Sequence, residues 1–140
     1  MKRFLGLLLV IVILISASGC GKSAMPLDYQ LKDEIAKAAK GYKLNTSVLI
    51  TSTGGSKCTV TIKADVNKWE FAEIVSAVTP VVRNFLGKND IGLRWLWYDS
   101  EKDIHWHSFD GKEGSFEDKE AGVVESMTVQ EVCDYCGYSK

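Results

Sequence analysis

Residues 57–66 read Lys57-Cys58-Thr59-Val60-Thr61-Ile62-Lys63-Ala64-Asp65-Val66. Cys58, Val60, Ile62, Ala64 and Val66 point one way, and Thr59, Thr61, Lys63 and Asp65 the other. Alternation with a period of two is the signature of a half-buried strand. Upstream, residues 43–52 carry Leu44, Val48 and Ile50, separated from this run by a segment containing Gly54-Gly55. A two-residue loop would send Val48 and Ile50 to the wrong face. A three-residue loop, Thr53-Gly54-Gly55, places Ile50 opposite Cys58 and Val48 opposite Val60, with a glycine in the left-handed region. A slip of one residue flips every side chain, so the apolar pattern selects the longer loop.

Helical signals flank this hairpin. Leu27, Leu31, Ile35 and Ala38 recur at helical spacing, which predicts a helix over residues 28–40, capped by Asp28 and stopped by Gly41. After the hairpin, Asn67 and Glu70 stand three apart as a capping box, with Val66 and Phe71 as a hydrophobic staple. Phe71, Ile74, Val75, Val78, Val82, Phe85 and Leu86 then form one apolar stripe ended by Gly87. Pro80 removes a hydrogen bond inside it and should kink or split the helix near Thr79.

A second hairpin is predicted over residues 91–98 and 103–109. Ile91, Leu93, Trp95 and Trp97 share one face. A four-residue loop, Asp99 to Lys102, brings Ile104 and Trp106 opposite Trp97 and Trp95 on that same face. Residues 110–114 read as a turn, and 115–125 are acidic and weakly patterned, with Phe116 beginning a short edge strand. Thr128 and Glu131 repeat the capping box, with Met127 and Val132 as staple, and a last helix runs to Cys136 before Gly137.

The expected domain, residues 27–140, is therefore α+β and two-layered, in the order α-β-β-α-β-β-α. Its antiparallel sheet has four to five strands, with helices on one face. Tandem helix–hairpin layouts resemble small secreted binding and inhibitory modules, a likeness of fold that implies little about function.

The N-terminus has another character. Lys2 and Arg3 precede an apolar run from Phe4 to Ile15, followed by Ser16, Ala17, Ser18 and Gly19 before Cys20. A basic start, a short apolar stretch and small residues describe a secretory signal. The run is shorter than the roughly 20 residues of a membrane-spanning helix. Ala17-Ser18-Gly19-Cys20 resembles the lipobox of bacterial lipoproteins, departing from the commoner leucine at Ala17. The resemblance implies removal of residues 1–19, diacylglycerol on Cys20, and an extracytoplasmic domain anchored to a bacterial membrane through a short tether, residues 20–26. Two acyl chains anchor stably where one does not.

Without Lys2 and Arg3 the chain has 15 basic and 18 acidic residues, a net charge of −3. No basic patch with interleaved aromatics is present, which argues against nucleic acid as partner. The expected partners are a membrane, through the lipid, and an envelope protein or ligand.

Four features suggest chemistry. Cys133 and Cys136 have redox or half-zinc spacing. They sit at the end of a predicted helix, where the dipole disfavours a thiolate. A Cys2His2 zinc set would join them to His105 and His107. Those histidines are expected opposite Trp106 and beside Leu96 and Arg94, a guanidinium unfavourable to a dication. Outside the cytoplasm, Cys58 could pair with Cys133 or Cys136 in a disulfide contributing about 2–4 kcal/mol. Its connectivity is open. Finally, Trp95, Trp97 and Trp106 form either core or an aromatic binding surface, with Trp69 a further candidate.

No Gly-x-Ser-x-Gly elbow, His-Glu-x-x-His, phosphate loop or calcium loop occurs. A non-catalytic module without cofactor is the expected class. The alternative is a metal- or thiol-dependent envelope enzyme using Cys133/Cys136 with His105/His107.

Overall fold

The computed structural model describes residues 24–139. The predicted signal peptide, Cys20 and most of the tether lie outside those residues. Three helices and six strands are present among the described residues: α1 (Leu27–Ala38), β1 (Asn45–Thr51), β2 (Lys57–Lys63), α2 (Lys68–Lys88), β3 (Gly92–Asp99), β4 (Ile104–Phe109), β5 (Gly114–Asp118), β6 (Val123–Met127) and α3 (Val129–Tyr135). The strands form one sheet in chain order, β1-β2-β3-β4-β5-β6. None of the described helices is long and apolar enough to cross a membrane.

This corrects the expected antiparallel sheet of four to five strands. The sheet is mixed, because β2 and β3 run parallel while every other neighbouring pair is antiparallel. The cause is α2. A 21-residue helix, about 32 Å long, carries the chain back along the sheet, so β3 starts at the same end as β2. Two hairpins joined by such a crossover share a parallel seam.

The first hairpin has the expected register, with Val48 opposite Val60 and Ile50 opposite Cys58. Gly54 takes φ +75° and Gly55 φ +105° in its turn. Both capping boxes are formed. The Asn67 and Glu70 side chains each accept the other's backbone N–H at 2.9 Å. Thr128 and Glu131 do the same at 3.2 and 2.7 Å. Each such cap contributes about 1 kcal/mol.

Some local expectations fail. Pro26, not Asp28, occupies the N-cap of α1, and no side chain caps it. Helix α2 is not divided at Pro80 and continues past Gly87 to Lys88. Beneath it, the buried Thr79 and Tyr98 hydroxyls lie 2.8 Å apart.

The second hairpin departs most. Tyr98, not Trp95, stands opposite Trp106, and Trp97 stands opposite His107. Two local features cause the change. Cys58 pairs with Leu93 and Thr59 with Trp95, leaving Arg94 as the extra residue of a bulge. The turn is also odd-numbered. Asp99 lies opposite His105, and Ser100 N–H bonds Ile104 O at 3.0 Å, closing a three-residue loop, Glu101 to Asp103. Ser100 Oγ accepts from Lys102 N and Ile104 N at 3.1 and 3.2 Å. Glu101 and Asp103 take positive φ. Leu96, Tyr98, Ile104 and Trp106 therefore enter the core, and Trp95 and Trp97 leave it.

Residues 110–127, expected as a turn and at most one edge strand, supply β5 and β6. Phe116 is fully buried against Phe71 of α2, with ring centroids 6.5 Å apart. The buried Trp106 indole N–H donates to Met127 O at 3.0 Å, tying β4 to the end of β6. Asp118 is also fully buried. Its carboxylate meets Lys68 Nζ at 2.7 Å and accepts from Tyr135 Oη at 3.1 Å and Ala121 N at 3.0 Å. Burial alone would raise that carboxyl, but Lys68, Ala121 and Tyr135 together hold it below the ordinary carboxylate range.

The helices share one face of the sheet. Leu31 and Ile35 of α1, the stripe of α2, and Val132 of α3 pack with the inward residues of β1 to β5 in one core. The other face carries no helix among the described residues.

Candidate functional site

The open face is built by period two. Alternation places Thr59 and Thr61 of β2 beside Trp95 and Trp97 of β3, then His105, His107 and Phe109 of β4, then Ser115 and Glu117 of β5. Trp95 and Trp97 are two residues apart on one strand, and His107 stands directly across from Trp97. The three rings lie nearly parallel. Trp95–His107 centroids are 4.9 Å apart at 14°, Trp97–His107 5.0 Å at 10°, and Trp95–Trp97 5.7 Å at 11°. Phe109 meets Trp95 edge-on at 5.7 Å, and His105 tilts against Trp97 at 5.6 Å. Offset parallel and edge-to-face geometries are those that the ring quadrupole favours.

Polar groups frame this row. His105 Nδ1 lies 3.3 Å from Asp99 Oδ1, and Glu117 stands across from His105. Lys63 approaches Asp99 at 3.9 Å, and Lys57 approaches Asp110 at 3.6 Å. Desolvation among the rings, with His105 nearby, lowers the His107 pKa against the opposing pull of Glu117. His107 therefore stacks as a neutral imidazole near pH 7. The surface is aromatic at its centre, bordered by hydroxyls and carboxylates, and close to charge-balanced.

The sequence-predicted residues divide around the sheet. Trp95 and Trp97 belong to this surface, whereas Trp106 is core. Trp69 is exposed elsewhere, edge-on to Tyr138 at 5.2 Å. The histidines do lie opposite Trp106, but beside Trp95 and Trp97, not Leu96 and Arg94. Phe109, Thr59 and Thr61 were not anticipated here. The alternation of β2 already put its threonines outward, so only the neighbouring strand was missing from that inference.

The cysteines lie on the covered side. Cys133 is buried in α3, where its S–H donates to Ala72 O of α2 at 3.7 Å. Cys136 packs against the core, and burial first, then Cys133 and other neighbours, push its pKa to about 11. Cys58 is buried at the start of β2, with its pKa likewise raised to about 11 by burial. Helix α3 packs at the beginning of α2 and over Phe116 of β5. β2 and β5 are three strand spacings apart, about 14 Å. A disulfide needs Cα atoms within roughly 7 Å, so Cys58 is not brought to either cysteine of α3. The sheet likewise stands between His105/His107 and Cys133/Cys136. Among the described residues no group of three or more His, Cys, Asp or Glu side chains is placed to hold a metal ion.

No protein-family model, curated protein or solved structure matches the chain.

Proposed function

We propose that this chain is a lipoprotein of a bacterial cell envelope whose domain is a non-catalytic glycan-binding module. In this reading, residues 1–19 are removed as a signal peptide and diacylglycerol on Cys20 anchors the domain outside the cytoplasm. The basic start, the short apolar run and the small residues before Cys20 support the address. The aromatic row of the open face supports the binding role.

The observation that carries the ligand class is the composition of that face. A pyranose ring has an apolar C–H face and a polar hydroxyl edge. The stacked rings, with Phe109 edge-on beside them, offer an apolar surface to the former. Thr59, Thr61, Ser115 and Glu117 border the rings with donors and acceptors for the latter. A protein partner fits less well, because cores of protein interfaces are depleted of charge, whereas the carboxylates Asp99 and Glu117 stand at one end of the row.

The test is titration of the full chain with a hexamer of β-1,4-linked N-acetylglucosamine, read by tryptophan emission and calorimetry. Saturable binding should weaken at least tenfold in Trp95→Ala and in Trp97→Ala, and should survive Trp69→Ala. Absence of saturable binding, or equal loss in all three variants, refutes the glycan reading.

A further inference from the structure

We infer that Trp69, Glu73 and Tyr138 form a second binding site, on the flank of α2, that takes a small alkylated ammonium ion. The site belongs to the helical layer, across the sheet from Trp95 and Trp97, and does not depend on the glycan reading.

Three local features bring these side chains together. Trp69 and Glu73 are four residues apart in α2, so they share one face of that helix. Gly137, at φ +76°, turns the chain after α3, and Tyr138 N–H bonds Cys133 O at 2.8 Å, a common way for a helix to end. The Tyr138 ring then meets the Trp69 indole with centroids 5.2 Å apart and planes at 74°. The loop between α1 and β1 contributes Tyr42, whose hydroxyl donates to Glu73 Oε2. That hydrogen bond first, then burial, with Glu70 and Tyr138 nearby, push the Tyr42 hydroxyl up to about 12. Tyr138 is thus a neighbour of Tyr42 as well as of Trp69, and the three rings gather about Glu73.

The charge at this place is not balanced. Glu73 is half-buried, yet among the described residues no lysine, arginine or histidine forms an ion pair with it. Lys68, beside Trp69 in sequence, is drawn instead to Asp118 at 2.7 Å. The surroundings add no countercharge, because Tyr138 also lines a shallow cleft with Ser76, Gln130 and Asp134.

These features select the ligand class. Two rings close to a right angle present negative π faces to a cation, and an indole is the strongest such face. Trp69 is 48% exposed, so its ring is open to a ligand. The Glu73 carboxylate supplies the opposite charge. A bare ammonium is compact and strongly hydrated, whereas alkyl groups on the nitrogen loosen that hydration and touch the rings directly. An anion would meet Glu73 and Asp134, and a neutral ligand would leave Glu73 without a counterion.

The experiment titrates the full chain with choline chloride at constant total chloride, following the indole N–H resonances by NMR. The comparison ligand is 3,3-dimethyl-1-butanol, which has the shape of choline without its charge. A saturable shift of the Trp69 resonance is expected, with a dissociation constant on the order of 1 mM. Affinity should fall by about fivefold or more in Glu73→Gln and in Trp69→Ala, and should survive Tyr29→Ala, an exposed ring elsewhere on α1. The alcohol should not saturate. Glu73→Gln preserves the shape of the side chain, so it decides the matter even where Trp69→Ala fails to fold. Absence of a saturable choline shift, equal affinity for the uncharged alcohol, or unchanged affinity in Glu73→Gln each overturns the inference.

Discussion

Replacing Gly114 by alanine should destabilise the domain severely, and the geometry says by how much. Gly114 opens β5 and is buried. A Cβ built there would lie 2.0 Å from the carbonyl oxygen of His107, 2.7 Å from its carbonyl carbon and 2.7 Å from Cε2 of Trp106. Ordinary contacts begin near 3.5 Å, so the closest pair is short by about 1.5 Å. A methyl group has no rotamer with which to escape. Two of the obstructing atoms are backbone, and the third belongs to an indole fixed by its bond to Met127. The start of β5 must move, at a cost of about 1–3 kcal/mol for overpacking. About 1 kcal/mol more is lost for each ladder hydrogen bond broken between β4 and β5. The sum is about 3–5 kcal/mol, a large share of the roughly 5–15 kcal/mol that holds a domain folded. Urea unfolding followed by circular dichroism should show the midpoint falling by about 2 M at unchanged slope, for a slope of about 1.5–2.5 kcal/mol/M. Gly87→Ala is the control. Its Cβ meets nothing within 4 Å in the last turn of α2, so the change should stabilise by about 0.5–1 kcal/mol. A Gly114→Ala protein within 1 kcal/mol of wild type would refute the close approach of β5 to His107, and with it the rigid backing of the aromatic row.

Two further outcomes follow from the titrating groups. The Asp118 carboxyl is held below its unfolded value, so its contribution is present above about pH 4 and is lost as pH falls through the folded value. Asp118→Asn should therefore be less stable than wild type at pH 7, with the difference shrinking in urea titrations as the pH is lowered below 4. For Cys58 and Cys136, a pKa of about 11 leaves roughly a thousandth as thiolate at pH 8. Alkylation should be slow in the native protein and complete in guanidinium, and rapid native modification of Cys136 would restore a reactive role to the α3 pair.

What could be read from the residues was local. The two capping boxes need only a polar side chain and a glutamate three positions on, and the first hairpin had a single alternation that buried Val48 with Val60. The 91–98 run offered two alternations of nearly equal apolarity: Ile91, Leu93, Trp95 and Trp97, or Leu96 and Tyr98. A bulge at Arg94 let the chain use both, packing a partly buried Leu93 against the core before it and burying Leu96 after it. The partner strand held the deciding information, since Ile104 and Trp106 flanked by two histidines read as inward residues on a half-covered strand. β5 was hidden differently, because its inward positions include Asp118, whose partners Lys68 and Tyr135 are distant in sequence. No local pattern distinguishes such a carboxylate from a solvated one.

The same parity governs the proposed site. With the four-residue loop Asp99 to Lys102, Trp95 and Trp97 would face α2, and the uncovered face would carry Leu96 and Tyr98. A three-residue loop sends Tyr98 inward to the Thr79 hydroxyl, where its own hydroxyl is satisfied at 2.8 Å. A buried tyrosine without that partner would cost about 1–3 kcal/mol. The register that satisfies Tyr98 therefore also places the tryptophans outside, where His107 stacks between the two strands and Thr59 and Thr61 lie alongside. The open aromatic face is thus the reverse side of the core's own hydrogen-bonding requirement, and a substitution such as Thr79→Val tests that link. It should lower stability and, through Tyr98, perturb the emission of Trp95 and Trp97 on the opposite side of the sheet. Unchanged emission in a destabilised Thr79→Val protein would separate the two faces and leave the aromatic row to be explained by its surface contacts alone.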